Sequence, residues 1–196
     1  MIFFVVMQRR GPWGLVGLAG LVLASLLLAA CASVTSPAKA PMPLLRLSPA
    51  SLGGSLSLQQ QLWVSTRGQE HRFDVVLEAD AEAVRLAVLS LGQTAARLAW
   101  DGTQLTESKA SWWPSAVSGE RVLSDLQLML WPVDAIANVL PPGWTLIQDA
   151  PTQRTLRQGQ EVVATVRYVS SSVSELDQHR EAYRIRVESR PLEGAP

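Results

Sequence analysis

The chain predicts an α+β fold: a curved antiparallel sheet with short helices, inserted between two groups of strands, covering its apolar face. Three observations lead there. Apolar and polar residues alternate through short runs from Leu58 to Ser108 and again from Trp144 to Glu188. The apolar spacing changes to three and four between Ser118 and Leu140. Turn formers (Gly68, Asp101-Gly102, Pro141-Pro142-Gly143, Gly159) separate the runs. A sheet with one apolar face must bury that face, and covering it with the helices is the compact solution for this order.

The first thirty residues stand apart. Arg9 and Arg10 precede a run from Leu15 to Ala30 that carries no charge, which reads as a signal peptide over residues 1–30. The run ends in Leu28-Ala29-Ala30-Cys31, matching the bacterial lipoprotein signal of a leucine, two small residues and a cysteine. That rule implies cleavage before Cys31, diacylglycerol on its sulfur and a third acyl chain on the freed amine. Several chains anchor durably because each buried methylene contributes roughly 0.8 kcal/mol. The alternative is an ordinary secretory peptide followed by an incidental cysteine. Ala32 stands where inner-membrane lipoproteins usually carry Asp, so outer-membrane sorting, with the body facing the periplasm, is expected. Met7 offers a more ordinary start than Met1, since residues 1–6 are apolar.

Cys31 is the only cysteine, so no disulfide within the chain is possible and no second thiol is left for chemistry. The first thirty residues hold two of the 17 basic side chains and none of the 17 acidic ones, so the remaining 166 residues carry a formal charge of −2. The basic residues are scattered among acids, so no nucleic-acid partner is expected.

Residues 31–54 are rich in Ser, Pro, Ala and Gly and are expected to form a lipidated, flexible tether. The folded body is expected over residues 55–190, with a short tail at 191–196. In His71-Arg72-Phe73-Asp74-Val75-Val76-Leu77-Glu78 the odd positions share an apolar face, predicting a half-buried strand. It should pair with Leu58–Thr66 across Gly68 and with Val84–Leu91 across residues 79–82. Ala95–Trp100 and Gln104–Ser108 flank Asp101-Gly102, a strong tight-turn signal.

Ser118 can cap a helix bearing Val122, Leu123, Leu126, Met129 and Leu130 along one side. Trp131-Pro132 must interrupt it, because proline cannot donate within a helix and restricts its predecessor. Pro132 can open a second short helix that stops at Pro141-Pro142-Gly143. Strands are expected again at Trp144–Gln148, Thr152–Arg157, Glu161–Val169 and Tyr183–Glu188, with Ser170–Arg180 between the last two as a polar loop.

Few residues suggest catalysis. The two histidines are His71 and His179. Asp177-Gln178-His179 offers two metal ligands where a site needs three or four, so no metal or cofactor is expected. No Gly-x-Ser-x-Gly elbow or glycine-rich phosphate loop is present. Glu175 and Asp177 are expected in solvent, where nothing raises a carboxylate's pKa. The chain is therefore expected not to be an enzyme.

Six of the seven tryptophans follow Cys31: Trp63, Trp100, Trp112, Trp113, Trp131 and Trp144. Each has a large apolar body and one donor to satisfy. They either fill the core or line an apolar cavity. Adjacent Trp112 and Trp113 cannot easily both point inward, which makes them candidates for a cavity mouth or a membrane interface.

These features, with Leu123-Ser124-Asp125-Leu126-Gln127-Leu128, Trp131-Pro132, Ile136, Leu140, Gly143-Trp144, Arg154-Thr155-Leu156 and Arg167-Tyr168, resemble domain-of-unknown-function family 3261 of proteobacterial lipoproteins. That family is in turn similar to LolB, the outer-membrane receptor of lipoprotein sorting. The resemblance spans most of Leu58–Ser189. It implies a LolA/LolB-like half-barrel whose helices lie as a lid over an apolar cavity for acyl chains. It also implies a leucine in an early hairpin that is pushed toward the membrane, and Leu91, in the Leu91-Gly92 pair, takes that place; the alternative is an ordinary strand-end leucine.

The expected function is thus a noncatalytic carrier or receptor for the acyl chains of a lipid or lipoprotein. Its partners would be the membrane, through Cys31, and a LolA-like periplasmic carrier. Family association adds aryl polyene lipids as a cargo class. Expected cavity residues are Phe73, Val75, Leu77, Leu86, Val88, Leu98, Trp100, Val166, Ile185 and Val187; Trp112, Trp113, Leu126 and Trp131 are expected at the lid or mouth. The rival expectation is a structural or assembly lipoprotein that binds an envelope protein and whose interior is filled by its own side chains. An open cavity beneath the helices favours the carrier, and a filled interior favours the rival.

Overall fold

A computed structural model describes residues 41–114 and 117–192; the chain divides into two units, residues 1–40 and 41–196. The expected signal peptide, Cys31 and the first part of the tether lie outside the described residues. None of the described helices is long and apolar enough to cross a membrane.

Among the described residues ten strands form one antiparallel sheet that does not close. They are β1 (Leu56–Thr66), β2 (Gln69–Ala79), β3 (Val84–Ser90), β4 (Gln93–Trp100), β5 (Leu105–Lys109), β6 (Trp144–Ala150), β7 (Gln153–Gln158), β8 (Glu161–Tyr168), β9 (Val173–Gln178) and β10 (Tyr183–Pro191). Two helices, α1 (Gly119–Leu130) and α2 (Val133–Ala137), separate the two groups. The order across the sheet is β5-β4-β3-β2-β1-β10-β9-β8-β7-β6. Each group is a meander. They join where β1 pairs with β10, from Leu58 opposite Pro191 to Thr66 opposite Tyr183.

Register carries one apolar face across the whole sheet. Val75 and Leu77 lie opposite Val88 and Leu86, which continue to Ala96 and Leu98. On the other side Ile185, Leu176 and Val166 stand in a row, as do Ala164, Leu156 and Leu146. The opposite face carries charge: Arg167 and Arg184 bond Asp177, and Arg186 bonds Glu175 at 2.9 Å.

α1 starts where the sequence places it. Ser118 Oγ accepts from the Arg121 N–H at 3.2 Å, a standard cap. Gly119 sits so close to β4 and β5 that a Cβ would fall 2.3 Å from Glu107 Oε2 and 2.9 Å from Leu98 Cδ2. The far end is held by Arg154 Nη1, which donates to the carbonyls of Leu128 at 3.3 Å and Trp131 at 2.7 Å. These carbonyls lack helical partners, so a cation there supplies both a donor and favourable charge.

Two expectations change. Residues 41–54 were expected to be tether, yet Met42, Leu45, Leu47 and Pro49 are buried. This segment ends in a 3-10 turn at Pro49–Leu52 and runs beside α1 rather than in the sheet, because its amides bond helix side chains. The Leu45 N–H donates to Ser124 Oγ at 3.0 Å, and Leu47 both donates to Gln127 Oε1 and accepts from Gln127 Nε2, each at 3.0 Å. The folded body therefore includes residues 41–54. The expected polar loop at 170–180 is mostly β9. Its charged side chains are matched by arginines on both neighbouring strands, and Leu176 points to the fully buried side.

Candidate functional site

The apolar face holds nearly every expected cavity residue. Val75, Leu77, Leu86, Val88, Leu98, Trp100, Val166 and Val187 are buried, and Phe73 and Ile185 are partly buried against them. They meet a filled interior. The recess between α1 and β3–β5, lined by Leu86, Leu98, Trp100, Leu123 and Leu126 among others, is about 10 Å³. That is room for a single water at most. Among the described residues these side chains therefore form a core, not an open cavity, because α1 and residues 42–49 occupy the space above the sheet.

The expected lid and mouth residues separate. Trp131 is fully buried and its indole N–H reaches Ser48 O at 3.3 Å and Ser51 Oγ at 3.1 Å, so it fastens the incoming segment and lies at no mouth. Trp100 does the same to Leu47 O at 2.7 Å. Leu126 is half-buried beside the small recess. Trp113 turns inward, its ring centroid 5.6 Å from that of Phe73, while Trp112 turns outward and is 51% exposed.

Leu91 stands alone. It is the first residue of the two-residue turn between β3 and β4, it is 101% exposed, and its φ is +50°. Gly92 follows at +76°. Consecutive positive φ values define the turn type whose usual sequence is Asn-Gly. A leucine there costs roughly 1–2 kcal/mol over a permissive residue. It buries nothing in return.

A polar cluster lies beneath α1. Asp125, 5% exposed, accepts from Gln178 Nε2 at 2.8 Å and from the Tyr183 hydroxyl at 2.5 Å. Burial pushes its pKa up to about 6, against the Tyr183 and Gln178 bonds and the nearby Arg121 charge, which pull the other way. Burial, and then the Asp125 charge, raise the Tyr183 hydroxyl above its usual range. Sequence reasoning missed Asp125: a polar residue on the helix stripe was the available signal. Asp177 behaves oppositely. Burial would raise it, but the bonds from Arg184 and Arg167 prevail and hold it below the usual carboxylate range.

Both histidines are exposed, and His179 Nε2 lies 3.0 Å from Thr165 Oγ1. Among the described residues no group of three or more His, Cys, Asp or Glu is placed to hold a metal.

Comparison with known proteins gives little beyond the family. No curated protein matches the chain. A crystal structure of a DUF1329 family protein from Desulfovibrio piger aligns with a TM-score of 0.36 and 8% identity, over 76% of this chain and 90% of that one. MucB in complex with MucA(peri) aligns with a TM-score of 0.12 and 13% identity, over 74% and 91%. A family model described as a protein of unknown function (DUF3261) matches residues 57–191, from the second residue of β1 to the last of β10. The chain belongs to that family.

Proposed function

We propose that the protein is a noncatalytic, outer-membrane lipoprotein that meets the bilayer with its β3–β4 turn and handles acyl chains on the apolar face of a LolB-like half-barrel. Leu91 carries the reading. The fold gains nothing from a leucine at this turn: the backbone conformation disfavours it and no contact compensates. A residue that costs the fold and is fully exposed serves a partner outside it, and a lone aliphatic tip suits a hydrocarbon layer. Trp112 emerges at the same end of the sheet, since β5 runs up to Ala110 beside Ala95 in β4. Cys31 acylation would hold the chain at its membrane.

Among the described residues the recess beneath α1 is too small for an acyl chain, so loading requires α1 and residues 42–49 to leave the apolar face. Two features favour such a lid. The buried side of α1 contains Ser124, Asp125 and Gln127, whose hydrogen bonds can be exchanged for water more readily than apolar contacts can. The charge on Asp125 also weakens the closed arrangement above pH 6. The filled interior is the specific observation behind the second reading, a structural or assembly lipoprotein whose sheet never opens.

Two measurements test this, both on the unlipidated chain beginning at Ala32, which retains every described residue. Co-sedimentation with phosphatidylethanolamine/phosphatidylglycerol vesicles should fall at least tenfold for Leu91→Asn; unchanged sedimentation ends the membrane-contact reading. Native mass spectrometry after expression in the original host should detect bound acyl lipid, reduced by Leu86→Glu if that variant stays folded. A chain that never carries lipid selects the structural reading.

A further inference from the structure

The hairpins on either side of β2 close with the same turn. Arg67-Gly68, between β1 and β2, has φ of +51° and +76°, and Leu91-Gly92, between β3 and β4, has +50° and +76°. Asn-Gly is the sequence such a turn favours, and arginine at its first position is disfavoured for the same steric reason as leucine. Arg67 is exposed, and among the described residues its side chain makes no hydrogen bond, ion pair or ring contact. It repeats the case of Leu91, a side chain that the backbone disfavours and that bonds nothing in the fold.

Both turns stand on one rim of the sheet. The β1–β2, β3–β4, β7–β8 and β9–β10 turns close the same end of the antiparallel ladder, and the other four close the opposite end. β2 pairs with β3 only over residues 74–79, so residues 69–73 run on past the β3–β4 turn. Tilted strands in a curved sheet are staggered in this way, which makes the rim oblique to the strands, with Leu91 and Arg67 as successive steps along it. Trp112, 51% exposed beyond β5, stands on the same rim.

Charge separates the two rims. The turns of the far end carry Asp80, Glu82 and Asp101 and no cation. Arg85 offsets Asp80 at 3.2 Å, which leaves Glu82 and Asp101 without a counterion. The turns of the Leu91 end carry Arg67, Arg180 and Glu181. Arg180 is matched by Glu161 at 3.1 Å and Glu181 by Arg121 at 2.6 Å, so Arg67 sets the sign of that rim. A body polarised in this manner approaches an anionic surface with one end foremost.

We propose that this rim docks on a bilayer rich in anionic phospholipid, with Arg67 at the lipid phosphates and Leu91 in the hydrocarbon. A guanidinium forks onto phosphate oxygens, and an indole such as that of Trp112 suits the headgroup layer between. The lipid class and the orientation rest on the reading of Leu91 as a membrane contact and add to it.

Co-sedimentation of the unlipidated chain beginning at Ala32 tests this with two vesicles, phosphatidylcholine alone and phosphatidylcholine with phosphatidylglycerol in equal parts. Phosphatidylglycerol should strengthen binding. Arg67→Gln should weaken binding to the anionic vesicle about fivefold, the factor for one cation near such a surface, and leave binding to the neutral one unchanged. Glu82→Gln, on the far rim, should change neither. Equal binding to both vesicles that still falls with Leu91→Asn overturns the anionic preference and leaves membrane contact standing. A gain from Glu82→Gln as large as the loss from Arg67→Gln overturns the orientation, since net charge alone then governs. Binding that needs Arg67 but not Leu91 ends the hydrocarbon contact, and no sedimentation with either vesicle overturns both readings.

Discussion

Asp125 and Leu91 each stand where the fold alone would choose another residue. Asp125 has its pKa at about 6 against an ordinary 3.8. The folded chain therefore keeps this proton at pH values where the unfolded chain has lost it. The group's contribution to stability falls as pH rises from about 4 to about 6 and is flat above that. The shift corresponds to on the order of 3 kcal/mol. Asp125→Asn should remove this dependence, so its Tm gains on the wild type through that window and the difference then levels off; parallel Tm curves would mean that the carboxyl is not desolvated. Asp177 works in the other direction, stabilising above the ordinary carboxylate range and losing its contribution as acid protonates it. Leu91→Asn should raise stability by about 1 kcal/mol, because asparagine tolerates the left-handed region that leucine resists. Urea titration measures the gain, and a destabilised variant would show that Leu91 makes contacts within the fold.

The incoming segment at 42–49 is held by side chains in place of a sheet ladder. Gln127 satisfies both polar groups of Leu47, so Gln127→Ala leaves a buried N–H without its acceptor and should cost about 2 kcal/mol, plus protection of the Leu45 and Leu47 amides in hydrogen exchange. Retained protection would place the segment's stability in its apolar contacts alone. β9 is a central strand with one fully buried large aliphatic side chain, Leu176. Leu176→Ala should cost about 2–5 kcal/mol by thermal or urea unfolding, the range for a cavity in a packed core. A loss under 1 kcal/mol would mean that β9 packs loosely against the apolar face.

Across residues 41–192 one sheet, one long helix and one incoming segment share a single core, which runs from Met42 to Val187 and includes both strand groups. The β1–β10 pairing makes the two meanders one unit, so unfolding should be a single cooperative transition seen alike by tryptophan fluorescence and backbone circular dichroism. Two separated transitions would show that the strand groups fold apart.

The sequence by itself determined most strand positions, the capped start of α1 and the break at Trp131-Pro132, because alternation, capping and proline geometry act within a few residues. It also supplied the family motifs, and the resemblance they carry singled out Leu91. Tertiary structure decided what local pattern cannot carry. β9 was hidden because its ionic side chains are neutralised only by arginines brought alongside on β8 and β10. Residues 42–49 were hidden because prolines mask their alternation and their hydrogen-bond partners lie about 80 residues away on α1. The raised Asp125 pKa likewise exists only once α1 is laid against β9 and β10. Burial is a property of the assembled layers, so whether the apolar face would be a cavity or a filled core was settled there, by the space that α1 and the incoming segment occupy.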